Sequence, residues 1–166
     1  MKKDEGSHKL DQIDLRILNR LQSDARITNQ ELADDVGLSP SPCLQRVKRM
    51  ENTGVIAGYN AHIDLHKVCR HVDVIAAVML NSHGLEDFLN FEAMVKNMRY
   101  VVECTKVAGT IDYLVRFVCP DIGSYQMLSD ELLKLGPKIG NLSSYMVLKD
   151  VKTFSGVALD DLVVPH

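Results

Sequence analysis

TNQELADDVGLSPSPCLQRVKRMENTG, residues 28–54, reads as two short helices joined by a tight turn, and this stretch organises the rest of the chain. Thr28 is placed to cap the first helix, and Glu31 three residues on completes a capping box. Leu32, Ala33 and Val36 then form its inner face. Gly37 supplies a left-handed stop and Leu38 plugs the corner. Ser39 caps the second helix, whose first position is Pro40, where a missing N–H costs nothing. Leu44, Val47 and Met50 recur every third residue as the apolar side of that helix, leaving Ser41, Pro42, Gln45, Arg46, Lys48 and Arg49 to the other faces. Three cations and no acid lie between Cys43 and Met50.

A cationic second helix after such a turn has the chemistry of a recognition helix. Its N-terminal part faces base edges in the major groove, where hydroxyl, amide and guanidinium groups hydrogen-bond. Ser41, Gln45 and Arg49 fit that geometry, and the full candidate DNA-contact set is Ser39, Ser41, Pro42, Gln45, Arg46, Lys48 and Arg49. The plainer alternative, a solvated charged face, is the usual fate of charge runs. The turn chemistry favours DNA.

With 166 residues the chain makes one ordinary domain or two small ones. Net charge is −3; residues 1–65 hold nine Lys and Arg against ten Asp and Glu, and residues 66–166 hold ten against twelve. DNA affinity must therefore come from local placement of charge and from avidity between copies. Cys43, Cys69, Cys104 and Cys119 show no C-x-x-C spacing and read as reduced, mostly buried thiols. No signal-peptide pattern and no membrane-length apolar run is visible, so a prokaryotic cytoplasm is expected.

Residues 1–9 are polar and read as a loose arm. Leu10, Ile13, Ile17, Leu18 and Leu21 give one buried helical stripe packed behind the two helices. After Gly54, Val55-Ile56 and Tyr59 to Ile63 read as short extended pieces forming a wing or linker. His62, His66 and His71 lie in or near this segment, but their spacing does not converge them, so no metal site is expected. From Val72 the texture changes. VDVIAAVML (72–80) reads as a strand buried on both faces. Leu85, Phe88, Leu89, Val95 and Met98 mark a helix; Val101 to Val107 and Tyr113 to Val118 form a hairpin around Gly109-Thr110. Leu128, Leu132 and Leu135 mark a second helix ended by Gly136-Pro137, and Ser143 to Val151 supplies a last strand with Tyr145, Val147 and Lys149 alternating.

The expected fold is α+β: an N-terminal winged helix-turn-helix (1–58), a linker (59–70) and a C-terminal ferredoxin-like βαββαβ domain (71–166). Such a sheet carries two helices on one face only. The continuous apolar first strand therefore predicts a homodimer, sheet facing sheet, whose paired recognition helices meet half-sites about 34–36 Å apart.

LDQIDLRILNRLQSDARITNQELADDVGLSPSPCLQRVKRMENTGVI resembles the N-terminal domain of the Lrp/AsnC (leucine-responsive or feast/famine) transcription regulators, and VVECTKVAGTIDYLVRFVCPD resembles the hairpin of their effector domain. The resemblance covers nearly the whole chain. It implies a regulator that binds double-stranded DNA, dimerises through its C-terminal domain and assembles further into tetramers or octamers. It also implies an amino-acid effector at the interface between dimers, near the hairpin turn. By position this implicates Gly109, Thr110, Asp112, Tyr113, Ile122, Ser144, Tyr145 and Met146. Read as turn chemistry alone, Gly109 and Asp112 are ordinary hairpin residues. Lys106, just before the turn, departs from a simple apolar pocket lining and favours an acidic effector or none.

Two other readings stay open. One is an architectural DNA binder without a ligand. The other is an enzyme like the sirohaem decarboxylases, which share the two-domain layout and would use the linker histidines. The sequence contains no nucleophile elbow, phosphate loop or facing carboxylate pair, so no catalytic residue is assigned; Asp34-Asp35 and Asp160-Asp161 are adjacent and do not face one another on a helix.

Overall fold

The computed structural model describes residues 10–135 and 139–162. They form α1 (Gln12–Ser23), α2 (Asn29–Val36), α3 (Pro40–Asn52), α4 (Leu65–Val68), β1 (Val72–Leu80), α5 (Leu85–Lys96), β2 (Val101–Lys106), β3 (Tyr113–Cys119), α6 (Ile122–Leu135), β4 (Ile139–Met146) and α7 (Leu159–Leu162). The described residues divide into two compact units, one running to His62 and resuming at Lys152, the other being Ile63–Val151.

In the first unit each helix start has a local chemical cause. Asp11 caps α1 in a capping box with Asp14. Thr28 and Glu31 cap α2 reciprocally, with the Thr28 N–H and hydroxyl both donating to Glu31 Oε2, at 3.0 and 2.7 Å. Gly37, at φ 74°, ends α2 in the left-handed conformation that glycine adopts without steric cost. Ser39 occupies the N-cap position of α3, yet its side chain makes no capping bond; Pro40 makes the start. Ile17, Leu32, Ala33, Val36, Cys43 and Met50 close the core, and Ile13, Leu18 and Leu21 pack against it as the stripe predicts.

The sequence stripe misses a second face of α1. Leu15 is 1% exposed, and Asn19 and Gln22 follow it at i+4 and i+7. Gln22 accepts the Val157 N–H at 2.8 Å and donates to the Val157 carbonyl at 3.2 Å, while Asn19 donates to Asp160. Gly156, at φ +112°, permits this approach: a Cβ there would sit 2.9 Å from Gln22 Oε1. Among the described residues, those from Lys152 to Leu162 cluster with the first unit, whereas the sequence reading ran the second domain through residue 166. Residues 55–63, read as a wing or linker, are a bend at Val55-Ile56 and irregular chain without strand pairing.

The second unit is an antiparallel sheet of order β2-β3-β1-β4. The strand–helix–strand–strand–helix–strand order and the bounds of β1 match the expectation. The pairs Val74–Phe117, Ala76–Val115 and Val78–Tyr113 face Phe91, Val95, Tyr125 and Leu132 from the two long helices, and together they are the core. Each large apolar side chain buried there contributes roughly 1.5–3 kcal/mol. The opposite face of β1 carries Ile75, Ala77 and Met79, of which Ala77 is buried and Met79 is 36% exposed in a single chain. No helix of the described residues covers that face, which is the one expected to meet a second copy.

Three boundaries or faces differ from expectation. The last strand is Ile139–Met146, not Ser143 to Val151, because Leu80 pairs with Ile139 and the ladder runs back through Gly140. Leu85 and Leu89 are exposed, and α5 buries Phe91, which the pattern missed, beside the expected Val95. Cys43 and Cys119 are buried but Cys69 and Cys104 are exposed. The helix stop at Gly136-Pro137 and the arm at 1–9 lie outside the described residues.

The hydrogen bonds from the Thr28 side chain and backbone hold the Glu31 carboxyl below its ordinary value of 4.5. A depressed carboxyl stabilises the fold above its unfolded pKa and loses that contribution as pH falls through the folded one. Glu31→Gln should thus unfold at lower urea than the unmodified chain near neutral pH and converge with it as pH drops well below 4.5; a gap independent of pH would contradict the linkage. Thr28→Ala should cost about 1 kcal/mol in the same assay.

Candidate functional site

The start of α3 is held by the helix before it. Asn29 Nδ2, in the first turn of α2, donates to the Pro40 carbonyl at 2.9 Å. From there Cys43, Val47 and Met50 face the core at i, i+4 and i+7. The expected inner face of Leu44, Val47 and Met50 is thus one position out: Cys43 is buried and Leu44 is 42% exposed.

The cations of α3 meet acids that sequence spacing did not place beside them. Arg46 Nη1 donates to Asp11 Oδ2 at 2.7 Å and Asp14 Oδ1 at 2.8 Å, and Arg49 Nη2 donates to Asp14 Oδ2 at 2.6 Å. The Asp14 side chain is 1% exposed, so its charge is viable only because both oxygens are paired and Oδ2 also accepts the Asp11 N–H. Burial raises the Asp11 carboxyl, but the Asp14 N–H and the Arg46 guanidinium outweigh it and hold it below the usual range. Arg46 is in turn raised, first by its bond to Asp11 and then by Asp14.

These contacts divide the expected DNA-contact set into two environments. Ser39, Ser41, Pro42, Gln45 and Lys48 are exposed, and Lys48 has no ion pair among the described residues. Arg46 is half-buried against α1. Arg49, expected at a base edge, keeps half its surface but commits a guanidinium nitrogen to Asp14. A signal was present in the sequence: Asp14 falls within the apolar stripe of α1, where an acid demands a partner. Tyr59, at the exit from the helices, donates to Glu51 of α3 at 2.9 Å, and burial together with that carboxylate pushes its pKa up to about 12.

In the second unit the eight expected effector residues separate into groups. Asp112, in the loop between β2 and β3, has one carboxylate oxygen accepting the Leu80 N–H at 2.8 Å and the other 3.2 Å from His83 Nε2. Its backbone N–H donates to Val78, and its carbonyl accepts from Val107. The carboxylate anchors the hairpin to the end of β1 as well as marking the turn. Gly109 and Thr110 are exposed in the same loop. Tyr113 is core: it is 1% exposed and donates to Glu92 at 2.8 Å, and burial followed by that carboxylate raises its phenol well above the ordinary value.

The remaining residues lie toward the other end of the sheet. Ile122 begins α6 and is 45% exposed. Ser144 bonds Tyr125 of α6, Met146 pairs with Val74, and Tyr145 projects from the opposite face, 60% exposed. Tyr113 pairs with Val78 and Met146 with Val74, four residues apart along β1 or about 13 Å, while Ser144, which pairs with Ala76, lies between them.

Lys106 lies over the Phe88 ring, 3.3 Å from its centroid, and 3.9 Å from Glu92. It borders a groove of about 460 Å³ between α5 and β2, walled by Val95, Val101 and Val102 with Glu92 and Glu103 at its rim. The His66 and His71 rings lie 4.8 Å apart, centroid to centroid, yet no cluster of three or more potential metal ligands occurs among the described residues. No helix among them is long and apolar enough to cross a membrane.

Comparison with known proteins gives this geometry a context. Residues 10–57 match the winged helix-turn-helix DNA-binding family, and residues 73–157 match the Lrp/AsnC ligand binding domain. The chain is 42% identical to the transcriptional regulatory protein DoeX of Halomonas elongata over 93% of this chain and 98% of that one. It is 40% identical to the leucine-responsive regulatory protein of Escherichia coli, over 86% and 87% of the two chains. A crystal structure of a transcriptional regulator from Neisseria meningitidis, in complex with L-Met, superposes with a TM-score of 0.83 at 30% identity, covering 93% of this chain and 99% of that one.

The ion-pair geometry makes a testable statement about DNA affinity. Asp14→Asn keeps an acceptor for the Asp11 N–H and removes the charge that holds Arg49 and half of Arg46. Binding to non-specific duplex should strengthen, and log K against log salt should steepen by about 0.9 for each arginine released to phosphate. A slope that stays the same or becomes shallower, read by fluorescence anisotropy across a salt series, would contradict the assignment.

Proposed function

The chain belongs to the Lrp/AsnC family of transcriptional regulators, and on that premise we propose that Ser39, Ser41, Pro42, Gln45 and Lys48 contact DNA, with Arg46 and Arg49 at the edge of the interface. A small effector, an amino acid, then modulates binding or assembly from the second unit. The protein works as a homodimer or larger ring on nucleoid DNA in a prokaryotic cytoplasm.

The observation that carries the effector reading is the division of the candidate residues between two ends of the sheet. One group is the 107–112 loop with Asp112; the other is Ile122, Ser144, Tyr145 and Met146. The loop and Met146 lie about 13 Å apart between backbones, more than an amino acid spans, so a site using both of these takes one from each of two chains. Ligand occupancy is then linked to assembly, because a ligand bound between chains stabilises the assembled form. The exposed Tyr145 and Met79 on the helix-free face supply apolar surface for pairing of copies. The Neisseria meningitidis neighbour, solved with L-Met, supports an amino acid as the ligand class.

An ammonium group needs an anion, and the Asp112 oxygen beside His83 is placed to accept one. Asp112→Ala would also remove the acceptor of the Leu80 N–H, so Asp112→Asn is the cleaner variant: it keeps an acceptor and loses the charge. A thermal-shift screen against the twenty amino acids should give one or a few clear hits, about 2.7 kcal/mol of stabilisation at 100 times the dissociation constant. The hit should alter the mass measured by light scattering and should vanish in Asp112→Asn. No hit, or a hit unaffected by Asp112→Asn and by assembly state, would count against the shared site.

A further inference from the structure

The exposed surface of α3 includes one large apolar side chain that the DNA reading above leaves unused. Leu44 is 42% exposed, although leucine is the residue a helix most readily turns inward and the adjacent Cys43 takes the inward position completely. Its neighbours on the helix surface are Ser41 at i−3 and Lys48 at i+4, both exposed. Arg46 and Arg49 lie along the other flank, where Asp11 and Asp14 draw them toward α1. The base-facing N-terminal half of the helix therefore presents a hydroxyl, an amide and an isobutyl group, with its long cations drawn aside.

We propose that Leu44 reads the C5-methyl group of a thymine in the major groove. This rests on the reading of α3 as the helix that enters that groove. Leucine can form no hydrogen bond, and among the edges that base pairs display in the major groove the thymine methyl is the apolar one. Against any other base edge, or against phosphate, the side chain would strip water from polar atoms and return nothing, so its placement discriminates between bases. Ser41 and Gln45 can hydrogen-bond to neighbouring edges, which fixes the helix in register while Leu44 tests for the methyl.

The test uses the full chain. The duplex it prefers is first selected from a random pool, and each thymine is then replaced singly by deoxyuridine, which lacks only the methyl. The unmodified protein should lose about fourfold in affinity at one thymine per half-site, the value of one buried methyl group. Leu44→Ala should fold with an unchanged thermal midpoint, bind the selected duplex more weakly and no longer distinguish deoxyuridine from thymidine there. Leu44→Met should retain part of the discrimination. If Leu44→Ala keeps the same deoxyuridine penalty, or weakens selected and shuffled duplexes equally, the assignment is overturned. A changed mass in light scattering for Leu44→Ala would overturn it too, placing the leucine in a contact between copies. Failure of the unmodified protein to enrich any sequence would instead remove the underlying reading of α3 as a sequence reader.

Discussion

A carboxylate with 1% of its side chain exposed cannot remain charged without partners, and Asp14 finds its partners on both of the helices it joins. Within α1 it accepts the Asp11 N–H and returns its own N–H to Asp11, closing the capping box. Across to α3 it holds Arg46 and Arg49. The angle of α3 is therefore fixed by directional bonds as well as by the Cys43, Val47 and Met50 contacts beneath. The same bonds set the electrostatics of the DNA-facing surface. Two of the three cations that the sequence displays on α3 are partly neutralised, so the proposed recognition surface relies on shape, hydroxyls, an amide and one apolar side chain.

The second unit uses a partly buried carboxylate in a similar way. Asp112 ties the β2–β3 loop to the end of β1 through Leu80, so the loop is presented on a rigid base while Gly109 and Thr110 remain exposed. On the helix-free face Arg116 holds Asp73 through two nitrogens, at 3.1 and 2.5 Å, across the β1–β3 pair. That face therefore mixes an ion pair with Ile75, Ala77 and Tyr145. In both units a structural acid lies next to the surface assigned to binding and fixes the geometry of that surface; Asp14 has both oxygens engaged, whereas Asp112 commits one to the Leu80 N–H and turns the other to His83.

Much of this was legible in the chain because it depends on contacts within a few residues. The capping box of Thr28 and Glu31, the left-handed Gly37, the Pro40 start and the bounds of β1 follow from local chemistry and period, and all are observed. The order of elements in the second unit follows in the same way. The face of α3 was less legible: Leu44 and Cys43 are adjacent, and apolar spacing alone favours the larger residue, whereas the space behind the helix takes the smaller one. The strand bounds of β4 were hidden by Gly140, which reads as a break in isolation but is taken up as a register shift between the Asn141–Met79 and Ile139–Leu80 pairs beside a formed β1.

The sequence by itself determined the two-unit organisation, the turn between α2 and α3, the βαββαβ order and the family resemblance, since each rests on spacing or on side chains a few positions apart. Only the tertiary structure decided which charges are free and which residues share a site. Asp14 and Arg49 are 35 positions apart and become neighbours at 2.6 Å. Gln22 and Val157, 135 apart, bring the end of the chain back to its first helix. Asp112 and Met146 belong to one expected site yet lie at separate ends of one sheet. Periodicity reports the face of an element that is buried; it carries no information about what arrives from a distant part of the chain to meet it.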